Sequence, residues 1–192
     1  MNQKKFDPKK LEKLNDPRRL QFQNPAQIWQ ELGLEAPRVL VDIGAGTGFF
    51  ARPFSEAMDQ GLVYACDTSE KMLTWLKDHL PPHLTDRVIP VLMEESSVPL
   101  PDGLADLVYM INLHHELDSP ELLLAEARRL LKNGGLVAVI DWKKEETGQG
   151  PPVAIRIPVE EVLGQMEAAG FREIIRRGDL PYHYFVTGRQ AG

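Results

Sequence analysis

Apolar residues along this chain fall in short unbroken runs set between stretches with helical spacing. Val39-Leu40-Val41-Asp42-Ile43, Leu62-Val63-Tyr64-Ala65-Cys66, Val88 to Leu92, Leu104 to Met110 and Leu136 to Ile140 read as five strands buried on both faces. Helices lie between them. One runs from about Gly48 to Met58 with Pro53 near its first turn, and one starts at Thr68 or Ser69 and ends at Leu80 before Pro81-Pro82. A third is opened by Ser119-Pro120-Glu121, carries Leu122, Leu123, Ala127, Leu130 and Leu131 on its apolar face, and is closed by Asn133-Gly134-Gly135. After a proline-rich linker, Val159, Val162, Leu163 and Met166 define a helix capped by Gly170. Phe171 to Arg176 and Tyr182 to Thr187 then form two strands joined tightly at Gly178 to Pro181, hence antiparallel. Strands alternating with helices predict an α/β fold: a doubly wound, mostly parallel sheet covered on both faces.

The first 30 residues follow a different rule. Asp7-Pro8, Asp16-Pro17 and Asn24-Pro25 each place a capping side chain before a proline suited to a first helical turn, so three short helices are expected, the third ending at Gly33. Leu11, Leu14, Phe22 and Trp29 give this arm apolar side chains with which to dock. The division expected is a helical arm or lid over residues 1–35 and a ligand-binding domain over residues 36–192.

Charge sharpens that division. The chain of 192 residues carries a net charge of −6, yet residues 1–23 carry +4 and the remainder −10. An acidic body argues against a nucleic-acid partner. No apolar run approaches the ~18 residues of a membrane span, and the charged opening lacks an apolar signal core, so a cytoplasmic protein without integral membrane association is expected. A single cysteine, Cys66, excludes an internal disulfide and a cysteine-rich zinc site.

The chemistry starts in Val41-Asp42-Ile43-Gly44-Ala45-Gly46-Thr47-Gly48, where glycines at alternate positions follow a buried strand and precede a helix. Such a turn lets backbone approach a ligand closely. A dinucleotide fingerprint would want glycines at 44, 46 and 49, but position 49 is Phe, and Asp42 precedes the first glycine by two. An acid there would repel a pyrophosphate and suits an ammonium or sulfonium instead. Asp67 ends the second strand, 19 residues beyond Gly48, where a carboxylate can accept both hydroxyls of a ribose. An adenosine with a cationic tail satisfies both acids.

Four stretches extend the pattern: Val41 to Gly48; Asp67-Thr68-Ser69-Glu70-Lys71-Met72-Leu73; Pro99-Leu100-Pro101-Asp102 with Asp106; and Leu130-Leu131-Lys132-Asn133-Gly134-Gly135. With these, the chain from Val39 to Thr187 resembles the class I S-adenosylmethionine-dependent methyltransferases, and within them the ubiquinone/menaquinone C-methyltransferase-like branch. The resemblance implies a Rossmann-like sheet of seven strands whose last is antiparallel, and S-adenosyl-L-methionine as cofactor. It places Gly44, Gly46 and Gly48 in a cradle for the methionine side, Asp67 on the ribose, Thr68 and Met72 along the adenine and Asn112 near the methionine moiety. Glu94 falls at the acidic position that reaches the adenine amino group, with Glu95 offering its backbone amide. The branch more often has Asp then Ala here, so which glutamate acts stays open.

Methyl transfer from a sulfonium is an in-line displacement that needs mostly positioning, and a general base only where the acceptor keeps its proton. His114-His115-Glu116 follows the fourth strand and Asp141-Trp142-Lys143-Lys144 the fifth, both bordering the ligand crevice of a doubly wound sheet. His115 ranks first as base, oriented by Asp141 or Glu116, against the alternatives that these histidines pack, cap or ligate a metal; no metal is expected. A compact small-molecule acceptor fits the 17 residues from Trp142 to Pro158 inclusive, which leave little room for a covering insertion. The arm could provide the cover, with Arg18 and Arg19 facing an anionic acceptor or standing exposed. A binding or regulatory protein of the same fold without catalysis satisfies the glycine loop equally.

Overall fold

A computed structural model describes residues 11–178 and 180–191, Glu12 by its backbone alone. The helix start expected at Asp7-Pro8 and Asp179 of the terminal connection lie outside the described residues. The arm holds a helical turn α1 (Leu11–Leu14), a 3-10 turn (Pro17–Gln21) and α2 (Pro25–Leu32). Its capping follows from composition: Asp16 accepts the Arg18 amide at 2.9 Å, Asn24 Oδ1 accepts the Ala26 amide at 2.9 Å, and Gly33 closes α2 at φ 60°.

The body alternates β1 (Val39–Ile43), α3 (Ala51–Ala57), β2 (Leu62–Asp67), α4 (Glu70–His79), β3 (Val88–Leu92), β4 (Ala105–Ile111), α5 (Pro120–Leu130), β5 (Leu131–Trp142), α6 (Val159–Ala168), β6 (Phe171–Arg176) and β7 (His183–Gln190). One sheet of seven strands results, in the order β3-β2-β1-β4-β5-β7-β6. The first five strands pair in parallel, and β7 runs antiparallel to both β5 and β6. Continuous apolar runs fit the central strands β1, β4 and β5, which are covered on both faces, whereas the edge strand β6 is largely exposed. Ile28, Leu32, Phe54, Leu76 and Tyr109 pack on one face, and Leu123, Ala127, Val162, Met166 and Tyr184 on the other.

Of the two starts offered for α4, Ser69 is the cap, its hydroxyl accepting the Met72 amide at 3.4 Å. The end of the next long helix departs from expectation. Helix α5 stops at Leu130 rather than at the Asn133-Gly134-Gly135 turn, because Leu131 already pairs with Ala105. The register then shifts, so that Leu107 faces Leu136, and the extra residues bulge out through Gly134 at φ 75°. At this same end of the sheet Asp106 ties three segments together. Its Oδ2 accepts the amides of Arg38 and Val39 at 2.8 and 2.9 Å, and its Oδ1 accepts Lys132 Nζ at 2.6 Å. Asp106 and Lys132, both within the motif stretches, hold the starts of β1 and β5 at the end of the sheet away from the glycine loop. Among the described residues no helix is long and apolar enough to cross a membrane.

Candidate active site

Strand order reverses between β1 and β4, and there the carboxyl ends of the strands open into one cleft of about 1300 Å³. Ordinary ligand pockets occupy ~300–1,000 Å³, so the cleft exceeds the usual size. The glycine loop forms one wall. Gly44 and Ala45 donate their amides to the Cys66 carbonyl at 2.8 and 3.0 Å, fastening the loop to the end of β2. Gly44 sits at φ +77°, and a Cβ there would fall 2.9 Å from the Leu113 side chain.

Gly48 corrects the expectation placed on it. It does not border the cleft; it is buried facing α4, where a Cβ would strike Leu76 Cδ1 at 2.5 Å. Of the three alternate glycines, two line the cleft and the third lies against Leu76 of α4.

Asp42 lines the cleft, is 3% exposed, and its Oδ2 has no hydrogen-bond partner. Burial pushes its carboxyl up to about 8; the Tyr109 hydroxyl beside it lowers the value and the nearby Asp67 charge raises it further. A buried carboxylate oxygen without a donor, beside bare backbone, is an environment that a cationic amino-acid moiety completes, and these residues therefore fit S-adenosylmethionine. Binding such a cation draws Asp42 into its ionised form. Below pH ~8 binding must then release a proton, and affinity should fall by up to about tenfold per unit of pH. Titration calorimetry of S-adenosylhomocysteine between pH 6 and 8, in buffers of different ionisation heat, reads this release directly. Asp42→Asn should abolish it, and a wild-type chain that releases no proton would remove Asp42 from the cation's surroundings.

Asp67 is half-buried, with Oδ2 accepting the Gly46 amide and Oδ1 the Ser69 amide, each at 2.8 Å. Burial raises its pKa, while the amides of Ser69, Gly46 and Thr68 pull the other way. Those amides aim the carboxylate at the cleft and leave lone pairs on both oxygens for hydroxyl donors. Thr68 and the buried Met72 line the adjoining wall, joined by Met93, which sequence reasoning missed. Of the two glutamates, Glu95 borders the cleft and Glu94 does not; Glu94 is exposed, and its backbone bridges to Ser97 at 3.0 and 3.3 Å.

Asn112 also lines the cleft, held in the left-handed region at φ 61° with its amide donating to the Ile140 carbonyl at 2.8 Å. Its side chain exchanges two hydrogen bonds with Gln23 of the arm: Gln23 Nε2 donates to Oδ1 at 3.0 Å and Asn112 Nδ2 donates to Oε1 at 2.9 Å. Gln23 is fully buried. No periodic or motif signal marked it; only its burial against Asn112 does.

On the neighbouring strand ends His115 meets Asp141. The ring Nδ1–H donates to Asp141 Oδ1 at 2.8 Å, with Oδ2 at 3.0 Å, and the His115 amide donates to Oδ2 at 2.9 Å. The Trp142 amide holds Oδ1 at 2.7 Å. His115 borders the cleft while Asp141 lies behind it with no exposed surface. Burial opposes charge on the imidazole, yet the hydrogen bond and charge of Asp141, helped by Glu116, raise His115 above the ordinary histidine value. Nδ1 being engaged, Nε2 is the nitrogen left for chemistry, with Glu116 Oε1 at 3.8 Å. His114 turns away to Gln165 of α6, Nε2 to Oε1 at 2.7 Å, so the two histidines diverge. Among the described residues no three His, Cys, Asp or Glu side chains are grouped so as to hold a metal ion.

The remaining wall is aromatic. Phe22 of the arm packs against Trp142, Tyr182 and His183 with ring centroids 6.1, 5.5 and 6.0 Å away. His183 is 1% exposed and burial lowers it to about 3, so it stays neutral beside these rings. Residues 148–152 complete the rim, coiled around Arg156, which donates to the carbonyls of Pro151, Lys143, Glu145 and Gln149 at 2.9, 3.1, 2.7 and 2.8 Å. The short linker after β5 is thus a built wall.

A family profile described as "Methyltransferase domain" matches residues 41–139. The ubiquinone/menaquinone biosynthesis C-methyltransferase UbiE of Cupriavidus taiwanensis is 33% identical over 117 residues, which are 59% of this chain and 47% of that protein. The chain therefore spans about half the length of such curated relatives. A crystal structure described as a SAM-dependent methyltransferase from Aquifex aeolicus superposes with a TM-score of 0.89 at 34% identity, covering 97% of this chain and all of that one. A putative type 11 methyltransferase from Sulfolobus solfataricus superposes with a TM-score of 0.65 at 28% identity, covering 80% of this chain and 84% of the other.

Proposed function

The chain belongs to the methyltransferase-domain family, and on that footing we propose that it moves a methyl group from S-adenosylmethionine to a compact small-molecule acceptor carrying an ionisable proton. The observation that carries the acceptor class is the His115–Asp141 pair at 2.8 Å on the wall of the cleft. A histidine held in one tautomer by a buried carboxylate, its Nε2 3.8 Å from Glu116 Oε1, is suited to take a proton.

Each residue has a part. Asp42 and the backbone of Gly44 to Thr47 hold the cationic amino-acid end, Asp67 accepts the ribose hydroxyls, and Thr68, Met72, Met93 and Glu95 flank the base. Asn112 borders the methionine moiety. The cofactor, when bound, supplies an electrophilic methyl group on its sulfonium. His115 Nε2 removes the acceptor proton, Asp141 stabilises the imidazolium that forms, and Phe22, Trp142 and Tyr182 exclude water from the acceptor and hold it in line. Residues 1–35 act as the lid of a domain formed by residues 36–192.

A screen of phenols, hydroxy acids and amines with methyl-labelled S-adenosylmethionine tests the reading. Labelled product from at least one class, with a rate that rises with pH above the ordinary histidine range, is the expected result. Tight S-adenosylhomocysteine binding with no transfer to any class would instead assign a binding role to the fold.

A further inference from the structure

Arg18 and Arg19 are neighbours in sequence and part company in space. Arg18 is turned to solvent and paired with Asp16, its Nη2 2.6 Å from Oδ2. Arg19 is half-buried and borders the cleft, its guanidinium 4.0 Å above the Phe49 ring and 5.5 Å from that of Phe50. A guanidinium has five N–H donors and no acceptor. Those of Arg19 reach the Leu14 carbonyl and Gln23 Oε1, the latter at 3.3 Å, and among the described residues it forms no ion pair. Desolvation brings it down to about 10 against the opposing charge of Asp16, so it remains charged, with no carboxylate among the described residues in ion-pair contact.

The segment that presents Arg19 is docked at several points. Leu14 lies close enough to Gly46 that a Cβ there would be 3.3 Å from it, and the Thr47 hydroxyl donates to Asn15 Oδ1 at 3.0 Å. Gln23 closes the pair with Asn112. These three contacts fall on the glycine loop or the end of β4, the side assigned above to the amino-acid end of the ligand, while Phe22 of the same segment packs on Trp142, Tyr182 and His183. That end carries both charges: Asp42 answers the ammonium, and only Arg19 of the cleft-lining residues around the loop offers a desolvated cation to the carboxylate.

We propose that Arg19 binds the α-carboxylate of the methionine moiety, so that the arm closes on the cofactor rather than on an anionic acceptor. The inference rests on the methyltransferase reading. A planar fork suits a carboxylate in a two-bond geometry. The Phe49 ring 4.0 Å beneath it supports the guanidinium by a cation–π contact.

Calorimetric titration of wild type, Arg19→Met and Arg19→Lys with S-adenosylmethionine and with its decarboxylated analogue separates the possibilities. The analogue keeps the sulfonium and the ammonium and lacks only the carboxylate. Wild type should prefer the complete cofactor, and Arg19→Met should weaken S-adenosylmethionine by on the order of 10- to 100-fold. Binding of the analogue should be unchanged within about twofold, which also shows that the variant is folded; Arg19→Lys should recover part of the loss. Equal losses for both ligands, or no loss for either, would overturn the carboxylate assignment while leaving the methyltransferase reading intact. A wild-type chain that binds neither ligand would overturn the methyltransferase reading itself.

Discussion

Methyl transfer by a His115→Ala chain is expected to fall ~10²- to 10⁴-fold, while S-adenosylhomocysteine binds as it does to the unaltered chain. The split follows from geometry. His115 borders the cleft through its ring, and the residues assigned to the ligand, Asp42, Asp67 and the glycine loop, form no hydrogen bond with it. Asp141→Asn should cost less at high pH and should also move the profile. Asp141 raises the imidazole, so the wild-type rate climbs with pH through a range above the usual histidine value. Without that charge the climb shifts to lower pH. A steady-state pH profile of both variants measures this, and an Asp141→Asn profile superposable on wild type would demote the pair to a packing contact.

Asp67→Ala should cost ~10²- to 10⁴-fold in cofactor affinity, the loss of two hydrogen bonds to a charged acceptor at about 1.5–3 kcal/mol each. The carboxylate also clasps the protein: its oxygens accept the Gly46 and Ser69 amides at 2.8 Å. Removing it leaves two donors unsatisfied beside the cleft and should lower folding stability by ~1–3 kcal/mol. Calorimetry for the ligand and thermal melting for the fold resolve the two effects. Asp67→Asn, which keeps an acceptor for one amide, should recover more of the melting temperature than of the affinity. Normal binding by the alanine variant would sink the ribose assignment.

How legible this was depended on the kind of residue. Strands β1 to β3 stand where apolar runs predicted them, and for β1 the reason is that a strand covered on both faces admits little polar sequence. The arm's caps were legible because an Asp or Asn before proline is a local device, satisfied within two residues. Glycine was less transparent. Gly44, Gly46 and Gly48 look alike in sequence, and all adopt positive φ. Only the approach of Leu76 shows that the third serves packing. The turn Asn133-Gly134-Gly135 misled for a related reason: a glycine that ends a helix and one that carries a bulge read the same locally, and the pairing of Leu131 with Ala105 decided between them.

Composition, period and short-range chemistry were enough for the α/β order, the antiparallel final pair, the glycine loop with its two acids, and a basic arm set against an acidic body. Each of these depends on residues within a turn or a strand of one another, where propensity and capping act. Contacts between residues far apart in sequence depended on packing. Gln23 finds Asn112 across 89 positions, His115 finds Asp141 across 26, and Arg156 folds the wall of residues 148–152 onto carbonyls that any sequence would offer. The same holds for Arg18 and Arg19. Their side chains are chemically identical and both reach the cleft, and only the direction of the chain through a 3-10 turn leaves Arg18 exposed beside Asp16 and half-buries Arg19 over the Phe49 ring.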